Sequence, residues 1–206
     1  MKKKIISLCL VAALAVVAIA GTSLAYFTDK DAKTNTFTLG NVDIELNEEN
    51  WEEPIIAAVP DMEYAKDPVV TNIGENDAWI RVYVTLSDAA AFTASAARHQ
   101  ITDLATIFAG HDETKWTLAG EPVYDKEADT LTYSNYYITV LKASEVADED
   151  GESTEPLFTS VTIPAVFDND DMEAIGADFT IDVTAHAIQT AGSYSTAAGA
   201  FANYGE

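Results

Sequence analysis

"AWIRVYVTL", from Ala78 to Leu86, is the stretch that decides the fold class. Every second residue from Ala78 to Leu86 is apolar, and the positions between them carry Trp79, Arg81, a tyrosine and a threonine. Successive side chains of a strand point to opposite faces, so this alternation predicts a strand with one buried face and one wet face. A turn cluster at 74–77 precedes it. Strands of this kind are typical of antiparallel sheets.

Four other stretches carry the same signal, since they combine alternation with residues that favour strands. They are "TFTLGNVDIEL" (36–46), "TLTYSNYYITVL" (130–141), "LFTSVTIPAVF" (157–167) and "ADFTIDVTAHAI" (177–188). In the last, Phe179, Ile181, Val183 and Ala185 are expected on one face. Short helices are expected only within 88–110 and 168–176. The sequence thus predicts an all-β fold, an antiparallel β-sandwich of jelly-roll type with short helical insertions.

The first 25 residues have the layout of a secretory signal peptide. A basic start, "MKKK", is followed by the apolar run 5–20, and small residues Ser23 and Ala25 precede a cleavage bond before Tyr26. A cut after Ala20 and an uncleaved membrane anchor are the alternatives. We therefore predict a signal peptide over 1–25 and a single domain over 26–206. Within it we expect a solvated acidic loop at 143–156 and a loose tail at 192–206.

Charge and cysteine content exclude several classes of function. The formal net charge is −23, and removal of residues 1–25 takes away three lysines and no acids, which leaves 8 basic and 34 acidic residues and a net charge of −26. Such a surface repels nucleic acid and anionic lipid, so no nucleic-acid partner is expected. The one cysteine, Cys9, lies in the predicted signal peptide, so no disulfide is expected in the mature domain.

A search for catalytic and metal-binding motifs finds none that fits. His99, His111 and His186 form no His-Glu-x-x-His pair, and there is no Gly-x-Ser-x-Gly nucleophile elbow. The acidic run around Gly151 places Val146 and Leu157 where a calcium loop of the EF-hand type requires acids. We therefore predict no catalytic, cofactor-binding or metal-ligating residue, and at most loosely bound calcium. The chain is not expected to be an enzyme.

Four segments do resemble a known family. "GTSLAYFTD" (21–29) is similar to the cleavage region of exported proteins processed by the signal peptidase SipW. "NTFTLGNVDIEL" (35–46), "AKDPVVTNIGENDAWIRVYVTL" (65–86) and "FTIDVTAHAIQTAG" (179–192) resemble blocks of the TasA and camelysin family. The resemblance implies a secreted subunit of biofilm matrix fibres, located in the extracellular matrix or at the cell surface. Its implied partners are further copies of itself, a minor capping or anchoring protein, and the signal peptidase during export.

The resemblance also implies that the mature N-terminal segment is donated to the next subunit. The donor would run from Tyr26 to Leu39, with Tyr26, Phe27, Phe37 and Leu39 as its apolar side chains. Strand addition gains main-chain hydrogen bonds, and alternate side chains fill pockets beside the open edge. Head-to-tail addition does not close on itself and therefore makes filaments. Export and cleavage would free this strand.

Three alternatives stay open at this point. Residues 34–46 could form an ordinary first strand of their own sheet. Some members of the family carry the camelysin label of a cell-surface metalloprotease, although no zinc motif is present in this sequence. A monomeric surface adhesin or carbohydrate-binding protein would use aromatic side chains such as Trp51, Trp79 and Trp116, which more often pack in a core.

Overall fold

The computed structural model describes residues 41–51, 58–146, 149–190 and 194–202, all of which lie in the unit that spans 40–206. Its strands are β1 (Ile44–Asn47), β2 (Glu63–Ala65), β3 (Val69–Asn72), β4 (Ala78–Leu86), β5 (Phe108–Ala109), β6 (Trp116–Leu118), β7 (Val123–Asp125), β8 (Thr130–Tyr137), β9 (Ser160–Thr162) and β10 (Ile181–Gln189). Its helices are α1 (Ala89–Arg98), α2 (Asn169–Ile175), α3 (Ala197–Phe201) and a 3-10 helix, Leu104–Ile107.

These strands form three antiparallel sheets. The largest has the order β10-β4-β8-β6, and β7 pairs with the other half of the same edge of β8. The second consists of β1 and β3, and the third has the order β2-β9-β5. The predicted all-β antiparallel class is confirmed. The jelly-roll connectivity stays a prediction.

Strand β4, the stretch "AWIRVYVTL", is a central strand of the largest sheet. The apolar set of β4 is buried on one face, and Val84 lies opposite Val183 of β10 and Tyr133 of β8. Arg81 and Tyr83 point to the other face and are only half-buried. The alternation in the sequence therefore gave the correct inner and outer faces of this strand.

The two predicted helical regions are confirmed, and they pack against each other. Phe92 of α1 is buried and contacts Phe167 and Phe179, with ring centroids 5.6 Å and 5.2 Å away. Helix α2 begins with a capping box, in which Asp168 and Asp171 each accept a hydrogen bond from the other's backbone N–H. The helical insertion thus covers one end of the sheet.

Two segments are more ordered than the sequence suggested. Residues 194–202 of the expected loose tail contain α3, whose Ala200 is fully buried and whose Phe201 is 5% exposed. The end of the expected solvated loop is also fixed, because the Thr154 hydroxyl is buried and accepts a 3.0 Å hydrogen bond from the Val70 N–H. Among the described residues, no helix combines the length and apolar character that crossing a membrane requires.

Candidate functional site

Two strand edges of the described fold, those of β1 and β10, lie near each other. Within the described residues, β10 pairs only with β4, and β1 pairs only with β3. Two cavities adjoin β10: one of about 460 Å³, which Val42, Asp43 and Ile44 also line, and one of about 960 Å³, which Glu48 and Trp51 after β1 also line. We call this gap, bounded by 42–48 on one side and 181–188 on the other, the β1–β10 slot.

The walls of the slot are apolar and incompletely covered. Val42, Ile44 and Leu46 on one side, and the inward-facing residues of β10 on the other, pack against the core but remain partly exposed. By contrast, Val82 and Val84 of the adjacent strand β4 are 1% and 2% exposed. The inner face of the sheet therefore loses its cover at β10. An edge of this kind can accept another strand.

The wider end of the slot contains a buried ion pair. Lys66 is 4% exposed, and its Nζ donates a 2.8 Å hydrogen bond to Glu48 Oε2 and lies 4.5 Å from the centre of the Trp51 ring. The other oxygen of Glu48, Oε1, is buried without a hydrogen-bond partner. A buried acceptor of this kind costs stability until a donor reaches it. All three side chains line the larger cavity.

The narrower end of the slot is closed by cation–π stacking. The Arg81 guanidinium lies 4.7 Å from the ring centre of Tyr83 and 4.4 Å from that of Phe201 in α3. His186 of β10 packs edge-on against Tyr83, with centroids 5.0 Å apart. Arg81, His186 and Phe201 all line the smaller cavity. Ordering of the C-terminal helix thus shapes this end of the site.

Residues 68–74, which have the pattern Pro-x-Val-x-Asn-x-Gly within the family-like segment 65–86, form a turn that the structure explains. Val70 and Asn72 alternate onto the inner face of β3, and both are fully buried. The Asn72 amide donates to the carbonyls of Asn76 and Leu141 and accepts from the Gly74 N–H. A Cβ atom at residue 74 would lie only 2.5 Å from the Asp43 backbone nitrogen. This turn therefore holds the start of β1, and so one wall of the slot, in place.

One cluster in the described part of the chain has the composition of a metal site. A ligand atom from each of His99, Asp168 and Asp171 lies within 4.8 Å of the other two. His99 follows α1, whereas the two aspartates belong to the capping box of α2. The sequence analysis did not detect this group, because 72 residues separate His99 from Asp171.

The donor set of this cluster does not fit a metal ion well, because both of its carboxylates already pair with the Arg98 guanidinium. The Arg98 guanidinium lies 2.8 Å from Asp168 Oδ1 and also contacts Asp171 Oδ1. His99 Nε2 lies 2.8 Å from Asp171 Oδ2, which also accepts the Asp168 backbone N–H. Burial acts to raise the pKa of Asp171, but these hydrogen bonds outweigh burial and hold that pKa well below its usual range. The cluster links α1 to α2.

Of the other residues that the sequence analysis singled out, some lie within the described part of the chain and some lie outside it. His111 Nδ1 donates a 3.0 Å hydrogen bond to the Leu157 carbonyl. Trp79 and Trp116 are buried, as expected for packing residues. The cleavage-site and donor-strand residues lie outside the described residues: Ser23, Ala25, Tyr26, Phe27, Phe37 and Leu39.

Comparison with protein families gives one match. A family model described as camelysin metallo-endopeptidase matches residues 1–65. The chain is camelysin-like over this segment. The match confirms the predicted resemblance to the TasA and camelysin family, and the camelysin-like segment ends with β1 and β2. No curated protein and no solved structure gave a match.

Proposed function

We propose that the protein is an exported structural subunit whose copies join head to tail by strand donation. Residues 26–39 of one copy would enter the β1–β10 slot of the next. The observation that carries this proposal is the partly exposed inner face of β10, which ends the largest sheet beside two cavities. The camelysin-like segment supports it, because the match includes the donor residues and one wall of the slot.

The dimensions and pattern of the donor suit this edge. Strand β10 has nine residues, an edge of about 30 Å, and the 14 residues of 26–39 are long enough to pair along it. Phe37 and Leu39 would point inward on alternate positions, towards Val183 and its neighbours. A donor N–H or threonine hydroxyl would also supply the partner that Glu48 Oε1 lacks.

The charge of the donor also favours insertion. Residues 26–39 contain two aspartates and two lysines, so their side chains carry no net charge, whereas the whole chain carries −23. The donor therefore adds little to the repulsion between two acidic subunits. Repulsion between the remaining surfaces should still slow assembly, and we expect salt, divalent cations or acid to favour it.

Location and partners follow from the same proposal. We place the protein in the extracellular matrix or at the cell surface, with further copies of itself as the main partner. A capping or anchoring protein would end or attach the filament. We propose a structural role and no peptidase activity, because both carboxylates of the one described group with metal-site composition already pair with Arg98. The term endopeptidase belongs to the description of the matched family, and we do not extend that activity to this chain.

Removal of the donor tests this proposal. We expect purified residues 26–206 to form filaments in negative-stain electron microscopy, and residues 38–206 to remain monomeric. Both should be incubated at neutral and acid pH, at low and high salt. Circular dichroism on both proteins shows that the shorter one is folded. Filaments from both proteins, or from neither under any condition, would refute strand donation.

A further inference from the structure

A third cavity lies on the inner face of the largest sheet, over β4 and β8, and takes no part in the proposed assembly. It is a cleft of about 1070 Å³ between the outer face of α1, the 3-10 helix and the connection from β6 to β7. Its floor consists of inward-facing residues of β4 and β8, namely Val84, Leu131, Tyr133 and Asn135. Phe108 and Phe158 add apolar walls. Small-molecule sites are usually clefts of this kind, mostly apolar and about 300–1000 Å³ in volume.

Two polar groups on this floor lack partners. Asn135 is 6% exposed and lies between Val82 and Leu118 in the sheet, yet its side-chain amide has no hydrogen bond to any described residue. The Tyr133 hydroxyl likewise has no described partner, and this residue is 5% exposed. The buried Asn72, by contrast, uses its amide in three hydrogen bonds. Neither polar group is among the fully buried side-chain atoms without a partner, so both are reachable from the cleft and open to a hydrogen bond from a molecule there.

The charges around the cleft restrict the chemistry of that ligand. Asp103, Glu113 and Glu121 line it, and no lysine or arginine is among the described lining residues. Anionic molecules are therefore disfavoured. Burial, together with the charge of Asp103, raises the pKa of Tyr133 to about 12, so this hydroxyl remains a hydrogen-bond donor at neutral pH. An anionic head group at the floor would lose its hydration without gaining an opposite charge.

We propose that this cleft binds a mainly apolar molecule that carries no negative charge and has one hydrogen-bonding group. Its apolar part would contact Val84, Phe108 and Phe158, and its polar group would bond to the Asn135 amide and the Tyr133 hydroxyl. This proposal is independent of filament assembly, because the cleft and the β1–β10 slot share no lining residue.

Fluorescence titration with the uncharged dye Nile red tests the proposal on monomeric protein isolated by size exclusion. We expect saturable binding, and displacement of the dye by 1-decanol at a concentration about tenfold lower than by decanoate. Ala97→Trp, on the exposed wall of α1, should weaken dye binding at least about tenfold by filling the cleft. The matched Ala198→Trp, exposed on α3, should leave binding unchanged.

The variant Asn135→Leu tests the polar floor. It should retain dye binding but weaken displacement by decanol about fivefold, because one hydrogen bond is lost. Three results would overturn the proposal. They are no saturable binding by the wild type, equal binding by Ala97→Trp, and equal potency of decanol and decanoate. Unchanged decanol displacement in Asn135→Leu would overturn the assigned role of Asn135.

Discussion

Replacing Phe37 with aspartate is expected to abolish filament formation, whereas replacing Thr38 with aspartate is expected to leave filaments intact. The alternation of 36–39 places Phe37 and Leu39 on one side of the donor and the two threonines on the other. Only the first side would face the apolar slot beside β10. An unpaired carboxylate there would cost several kcal/mol, enough to raise the critical concentration at least about a hundredfold.

The two aspartate variants are matched controls for each other, since they add the same charge to neighbouring positions. Phe37→Leu provides a further control, because it keeps an apolar side chain and should retain assembly with a smaller loss. The measurement is the monomer concentration left in the supernatant after filaments are pelleted. Equal loss in Phe37→Asp and Thr38→Asp would show that charge, and not the side of the strand, determines assembly.

Replacing Asp171 with asparagine is expected to lower Tm by about 5–10 °C. Asp171 is 1% exposed and accepts hydrogen bonds from His99 and from the Asp168 N–H, beside Arg98. The variant keeps the shape of the side chain but loses its charge and turns an amide N–H towards donors. Asp170→Asn is the matched control, because it removes the same charge from the same helix turn at an exposed position.

The pH dependence of this loss has a defined sign. The pKa of Asp171 is lowered in the folded protein, so its contribution to stability is fully present above the unfolded value of about 4 and is lost as pH falls through the folded pKa. The difference in Tm between wild type and Asp171→Asn should therefore shrink as pH falls below about 4. A Tm for Asp171→Asn equal to that of Asp170→Asn would contradict this account.

The parts of the fold that could be predicted from the sequence depend on local patterns. Alternation identified β4 and the inward face of β10, and a short helix was expected within 168–176, where α2 lies. The tail was harder to predict, because α3 has only five residues, four of them Ala or Gly, and is held by the Thr196 cap and by packing of Ala197, Ala200 and Phe201. Its order comes from tertiary contacts, which propensity does not report.

The candidate sites depend on contacts between distant parts of the chain. The slot needs β1 and β10 to be neighbours although about 140 residues separate them, a relation that no local pattern specifies. In the sequence, Asn135 is one of several polar residues in β8. Its place at the cleft depends on its cross-strand neighbours Val82 and Leu118, which no local pattern identifies. The assignment of residues 26–39 as the donor strand depends on the family resemblance and on the alternation of its side chains, and it stays a prediction.

The most direct test of strand donation is a disulfide between two different copies. The sole native cysteine, Cys9, lies in the predicted signal peptide, so residues 26–206 contain no other thiol. One protein would carry a cysteine at Thr36 or Thr38, and a second, of different mass, would carry it at Asp182 or Thr184, on the outer face of β10. After mixing and mild oxidation, we predict a covalent heterodimer for at least one of these pairs. A single chain that carries both cysteines is the control for a link within one copy. Links that form only in this control, with none in any mixture, would contradict strand donation between copies.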